Sequence, residues 1–489
     1  MIRVTRNYFG GADPPVRSRP PGRLIADDKR LTFRQESGPR RTRADPGVGP
    51  TGLGKACSIA LLLLAAACQL SGEVRPLTIL HINDIHAHLS PLDNGEGGFA
   101  ALATVIRRER DGCAACILLN AGDLAQGTPV STIFQGLPVF ELSNLLGIDA
   151  ATIGNHDFDY GWMQTRKFIS IVNYPMVSAN MVGKDGQAFA KPYVILQVNG
   201  LRVAVIGAMT ETLPTLTFPK ALGEWHAVSV VETARRYAAE LRPQSDLVVL
   251  LAHIDGREET AVLEQVPQVA VLVSGHIHTG IAEPRVVDGR IMVRVKSYTE
   301  ELGQLDLEID TEKKAPVSWK WKIVPIAAGT PQAPDVAERV QYWEDQVKAR
   351  VDRPLAIARR SFNTRDEIKV LMERAIREQT GANFAFVNRG GVRDILPAGQ
   401  LLERNVWNIM PFDNRVVVGA FKGRDLPPVV LGGIAVEPDR EYTLAVTDFT
   451  AANQNTAENL RTTGLEFPND VGLLRDILID WFRKQKVVE

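Results

Sequence analysis

Between residues 76 and about 325, short apolar runs alternate with stretches of helical spacing. LTILHI (77–82), ILLNAG (117–122), VAVIGA (203–208), LVVLLAH (247–253) and VAVLVSG (269–275) read as buried strands. The stretches 99–110 and 229–242 read as helices between them. This alternation predicts a layered α/β sandwich over 76–328. APDVAERVQYWEDQVKARV (333–351) is a polar helix with a spaced apolar stripe and flanking prolines. It is expected to link two domains, within a connector at 329–353. From 354 to 489, helices and short strands mix with many Gly and Pro turns, which predicts a smaller α/β (α+β) domain.

Chemistry-bearing side chains follow the apolar runs. NDIHAH places Asp84 and His86 past the first, and AGD places Asp123 past the second. LLAH supplies His253, and SGHIH supplies His276 and His278. TIGNHDFDYG crowds Asn155, His156, Asp157 and Asp159 into five residues. Strand ends at one edge of such a fold converge on one crevice. The i, i+2 spacing of Asp84/His86 and of His276/His278 is expected to aim both members one way from extended backbone.

One such histidine alone would read as a packing residue; five separated motifs, each closing an apolar run, do not. Imidazole, carboxylate and amide oxygen without thiolate suit divalent Zn, Mn or similar ions. Seven groups with a shared, bridging Asp123 make two four-ligand sites. Paired ions can clamp the attacking and leaving oxygens of an in-line displacement. His81, inside a strand, and His226, alone in EWHAV, read as structural, and His88 reads as packing beside the site.

All eight histidines lie between His81 and His278, and the last 211 residues have none. That asymmetry predicts a chemical domain followed by one with another task. The net charge of −1 is also uneven. Residues 1–67 hold 12 Lys and Arg against 5 Asp and Glu, leaving 44 basic and 52 acidic residues in the body. A body that acidic lacks the basic footprint of a nucleic-acid binder. No protein partner is indicated.

GKACSIALLLLAAACQLSG (54–72) pairs a Lys with a short apolar stretch and small residues before Cys68. The stretch is short for a bilayer span and fits a secretory signal ending at a lipidated Cys68, within a 51–75 signal and tether segment. We expect an exported cell-envelope or periplasmic lipoprotein; simple signal cleavage without lipid is the alternative. Residues 1–50, rich in Arg, Pro and Gly, cannot bury a core and are expected to be disordered. The natural start is expected near Val48. Cys113 and Cys116 in CAAC are expected to form a local disulfide.

NDIHAHL, AGDLAQGTPVSTIFQG, LGIDAATIGNHDFDYG, LLAHID and SGHIHTG together resemble the metallophosphoesterase superfamily, specifically its 5'-nucleotidase family. The resemblance implies one metal held by Asp84, His86, Asp123 and His278, and a second by Asp123, Asn155, His253 and His276. Many relatives carry Gln where His278 stands. His156 would not ligate; it would stabilise the phosphoryl transition state or protonate the leaving oxygen, with Asp159 orienting its ring. Asp157 would support the turn.

In the C-terminal half, NRGGVR (388–393), MPFDN (410–414) and TDFTAAN (447–453) resemble the same family. There Asn388, Arg393 and Asn414 would contact the nucleotide, and Phe412 and Phe449 would sandwich its base. The family's Gly-Gly-Asp-Gly segment is replaced by ANQNTAE, which puts Asn455 near the ribose position. FNTRDEI replaces a Leu-Gly segment, leaving Arg359, Arg360 or Arg365 to supply anion contacts. The implied activity is removal of phosphate from nucleoside 5'-monophosphates by attack of metal-bound hydroxide. Cyclic nucleotides, nucleotide sugars or general phosphomonoesters are alternative substrates. A non-catalytic lipid-anchored binding protein is disfavoured because all seven ligands are present. A sulfur-oxyanion enzyme is disfavoured because that branch loses the GNH-acidic run.

Overall fold

The computed structural model describes residues 73–453, 460, 462 and 464–489. The expectations placed on residues 1–72, Cys68 among them, and on Asn455 lie outside these residues. Two six-stranded sheets form the first half. One runs Ala315–Pro325, Glu301–Asp310, Val74–Ile82, Cys116–Asn120, Ala150–Thr152, Met176–Val177 across its width. The other runs Arg285–Val287, Arg290–Val293, Val271–Ser274, Leu247–His253, Leu201–Met209, Tyr193–Val198.

The sequence explains the layering. Leu247–His253 is apolar at nearly every position because both of its faces are covered. Leu247, Val249 and Leu251 point between the sheets, with Leu77, Ile79 and Leu119 of the other sheet. Val248, Leu250 and Ala252 face the helices Val230–Leu241 and Gly256–Gln265. In Val74–Ile82 the same alternation sends Leu80 and Ile82 outward to Phe99, Leu102 and Phe140. Two sheets between two helical layers therefore leave the strand ends at one edge as the place for loops.

The strands that carry candidate ligands run parallel. Val74–Ile82 pairs with Cys116–Asn120, which pairs with Ala150–Thr152. Leu201–Met209, Leu247–His253 and Val271–Ser274 do likewise in the second sheet. Parallel pairing brings successive C-terminal strand ends to one side.

The helix expected over 333–351 is Pro334–Val351. It does not hang free between two bodies. Val336, Val340, Val347 and Val351 are buried in the apolar cluster of the first half, and Arg107 clamps Asp335 at 2.7 Å. The C-terminal half has a four-stranded and a three-stranded sheet around the helices Arg365–Thr380 and Leu474–Gln485. Thr364 caps Arg365–Thr380 and Glu367 returns the bond to the cap backbone, so FNTRDEI is a capping box opening a helix. Cys113 and Cys116 are disulfide-bonded, with Cα atoms 6.1 Å apart.

Candidate active site

The five motifs meet at one edge of the sandwich. One ligand atom from each of Asp84, His86, Asp123 and His278 can be chosen so that all lie within 4.8 Å of one another. His253 Nε2 sits 3.1 Å from Asp123 Oδ2 and 3.0 Å from Asn155 Oδ1. The His276 ring lies 5.0 Å from the His253 ring, and its backbone N–H donates to the Asp84 carboxylate.

The i, i+2 pairs reach the site differently from the extended geometry expected. Asp84, His86, Asp123, His276 and His278 all have positive φ, between 48° and 81°. The chain leaves each strand and turns through left-handed conformations, which non-glycine residues adopt at a cost of about 1–3 kcal/mol and mostly at functional sites. Two glycines permit the close approach. A Cβ on Gly154 would stand 2.0 Å from Asp123 Oδ1, and one on Gly275 would stand 2.4 Å from the Ala121 carbonyl oxygen.

The electrostatics of this cluster fit a cation. His253 Nδ1 donates to the Ala121 carbonyl at 2.8 Å, which aims Nε2 at two oxygens; burial disfavours the charged ring, but the Asp123 carboxylate outweighs it and raises the imidazole to about 9. His86 Nε2 and His278 Nε2 are 2.9 Å apart. Burial and then the neighbouring His278 hold the His86 imidazole well below its usual range, so that pair meets as two neutral rings. Burial pushes the Asp84 carboxyl up to about 6. Asp123 Oδ2 is buried between two imidazoles, with His253 Nε2 at 3.1 Å and His86 Nε2 at 3.5 Å. Carboxylate oxygens, imidazole nitrogens and an amide oxygen converging in one buried cluster make a ligand set that a divalent ion satisfies.

His156 stands beside this cluster. Its Nδ1 is 2.8 Å from Asp159 Oδ2, and its backbone N–H donates to Asp123 Oδ1 at 2.9 Å. Asp157 faces away: it accepts from the backbone of Gly154 and Ala125, tying the GNH turn to the AGD loop. His81 is buried inside its strand, His226 is exposed, and His88 is stacked on Tyr298.

A cavity of about 790 Å³ opens over the cluster. Asn388, Arg393, Phe412, Asn414 and Phe449 all line it. The Phe412 ring stacks on His156 with centroids 5.7 Å apart, and Thr132 Oγ1 donates to the Pro411 carbonyl at 2.7 Å. Arg393 reaches within 3.5 Å of His86 Nε2. Of the three candidate arginines Arg365 alone lines the cavity; Arg359 pairs with Glu489 and Arg360 with Glu367.

Sequence reading missed the segment 211–225. It brings Phe218 and Lys220 to the cavity, and Phe218 meets Phe449 edge-on at 5.6 Å. It also missed Arg294. That guanidinium pairs in the interior with Glu259 and donates to the Thr279 carbonyl at 2.7 Å, which fixes the loop after His278. No motif marks either feature, because each acts through tertiary approach.

Residues 77–280 match the calcineurin-like phosphoesterase family, and residues 347–430 match the 5'-nucleotidase C-terminal domain family. The chain belongs to the 5'-nucleotidase family of metallophosphoesterases. It is a metal-dependent phosphoric ester hydrolase, with a phosphoesterase domain followed by a 5'-nucleotidase C-terminal domain.

Among relatives within this family, the trifunctional nucleotide phosphoesterase YfkN of Bacillus subtilis is 26% identical over 412 residues, 73% of this chain and 28% of that protein. The chain thus spans under a third of YfkN. UshA of Escherichia coli is 26% identical over 423 residues, 74% of this chain and 77% of that one. The 5'-nucleotidase precursor of Thermus thermophilus shares the fold, with a TM-score of 0.77 at 21% identity, covering 85% of this chain and 97% of that one.

Proposed function

We propose that this 5'-nucleotidase-family chain removes phosphate from nucleoside 5'-monophosphates outside the cytoplasm, as an exported protein tethered through Cys68. The reading rests above all on one cavity, lined both by Asp123, Asn155, His276 and His278 with His156 and by Asn388, Arg393, Phe412 and Phe449. In this reading Asp84, His86, Asp123 and His278 hold one divalent ion, and Asp123, Asn155, His253 and His276 hold a second. Two such ions supply Lewis-acid charge beside the phosphoryl group and lower the pKa of bound water.

The remaining steps belong to the chain's own residues. Asp159 accepts from His156 Nδ1, which fixes the ring and turns Nε2 toward the cavity. In its imidazolium form, Nε2 carries a proton for the departing 5'-oxygen. Arg393 contributes positive charge next to the ligand cluster, where a phosphoryl group would sit. Phe412 covers His156 and limits water access there, and with Phe449 it offers apolar faces for a base. Each such stacking contact is worth roughly 1–3 kcal/mol.

The volume of about 790 Å³ also admits larger nucleotides. It keeps cyclic nucleotides and nucleotide sugars as the second reading, which the three activities in the name of YfkN make concrete. Phosphate release from AMP, UDP-glucose and 2',3'-cyclic AMP by metal-repleted protein separates the two. Fastest turnover of AMP is expected. No activity on AMP, with turnover of either other substrate, would replace the monophosphate reading.

A further inference from the structure

A ligating imidazole is normally aimed by a hydrogen bond from its other ring nitrogen. His253 has that bond, through Nδ1 to the Ala121 carbonyl. His86 does not: its Nδ1 is buried and has no partner. Ring packing takes the place of that bond: His156 meets the His86 ring edge-on at 5.2 Å, and Tyr298 meets both His86 and His278. The Tyr298 ring stands 5.8 Å from His86 at 66° and 5.6 Å from His278 at 75°, and lies stacked 4.1 Å from His88. It therefore walls both histidines of the Asp84/His86/Asp123/His278 cluster.

The backbone under this ring is unusual. Tyr298 and Thr299 have φ of 61° and 65°, and a β-branched residue rarely takes that conformation. The turn is bolted in place from two sides. Tyr298 N–H donates to the Asp84 carbonyl at 2.9 Å, and Gly98 N–H donates to Thr299 Oγ1 at 2.7 Å. It leads directly into Glu301–Asp310, the strand that pairs with Val74–Ile82, where His81 faces Gly303. The left-handed turn thus carries an aromatic ring back over the strand end that delivers Asp84 and His86. Strain of this kind persists where the surroundings over-determine it, commonly beside functional groups.

We propose that Tyr298 is a positioning residue for the metal cluster. Its ring fixes the imidazoles of His86 and His278 by edge-to-face packing and does for His86 what the Ala121 carbonyl does for His253. The proposal rests on the reading that these histidines are ligands. The hydroxyl plays no part; the flat ring does.

The test loads the full chain with Co²⁺ and measures affinity by chelator competition, together with the visible spectrum of the bound ion. Tyr298→Leu should weaken the affinity about 10–100-fold, the usual loss when a supporting group is removed, and should change the spectrum. Tyr298→Phe should restore both. Wild-type affinity and spectrum in Tyr298→Leu would overturn the proposal. If that variant does not fold, Tyr298→Met, which keeps apolar volume without a flat ring, takes its place with the same two outcomes. Failure of the wild type itself to take up Co²⁺ would sink the underlying ligand reading, and is told apart by occurring before any substitution.

Discussion

His156 shows how two neighbouring residues divide labour. Asn155 turns its amide oxygen to within 3.0 Å of His253, while His156 turns its Nδ1 to Asp159. One side chain faces the candidate ligand cluster and the next stands beside it. His156→Ala should therefore lower kcat roughly 10²–10⁴-fold, the range for loss of a general acid. Metal content per chain, by elemental analysis, should stay at the wild-type level. Loss of metal on that substitution would make His156 a ligand and contradict its assigned task. The identities and grouping of these residues were legible in the sequence, since side-chain chemistry is written there directly. Their backbone was not. Left-handed φ at Asp84, His86, Asp123, His276 and His278 follows from how the loops cross, and Asp and His tolerate it without announcing it.

At the scale of elements, five parallel strands were legible because burial on both faces makes them continuously apolar; the short parallel strands Ala150–Thr152, Met176–Val177 and Arg290–Val293 were not. Glu301–Asp310 and Ala315–Pro325 were not picked out. They alternate polar and apolar residues at an antiparallel edge, in ELGQLDLEID and APVSWKWKIVP, and such weak runs merge with loops. Their arrival explains His81. Its ring stacks near Trp321 at 5.5 Å and occupies the space that Gly303 leaves by having no Cβ. Neither ring nitrogen has a partner, and burial lowers its pKa to about 3. Between pH 6.5 and 3 the unfolded chain therefore holds a proton that the folded chain refuses, so His81 costs stability as pH falls through that window. Each pH unit is worth about 1.4 kcal/mol, or about 2 kcal/mol from pH 6.5 to 5. Urea unfolding at pH 7 and pH 5 should show His81→Leu losing less stability than wild type over that interval. Equal losses would mean that the ring is solvated or paired in the native state.

Across the whole molecule, each half contributes chemistry the other lacks. The phosphoesterase half holds every histidine. The C-terminal half places Phe412 over His156 and Arg393 beside His86. Composition pointed toward this split, since the last 211 residues hold no histidine. The approach of Phe218 to Phe449 was not foretold, since a lone Phe in a loop carries no signal until its partner is placed. The helix at 333–351 likewise read only as a connector, because a sparse apolar stripe does not say which half it will cover.

The account depends on the ligand cluster holding paired ions. Anomalous diffraction from a crystal soaked in Mn²⁺ or Zn²⁺ tests this most directly. Two peaks are expected on either side of Asp123, one against Asp84, His86 and His278 and the other against Asn155, His253 and His276. A difference map with no anomalous density at Asp123, from a crystal whose protein hydrolyses AMP, would contradict it.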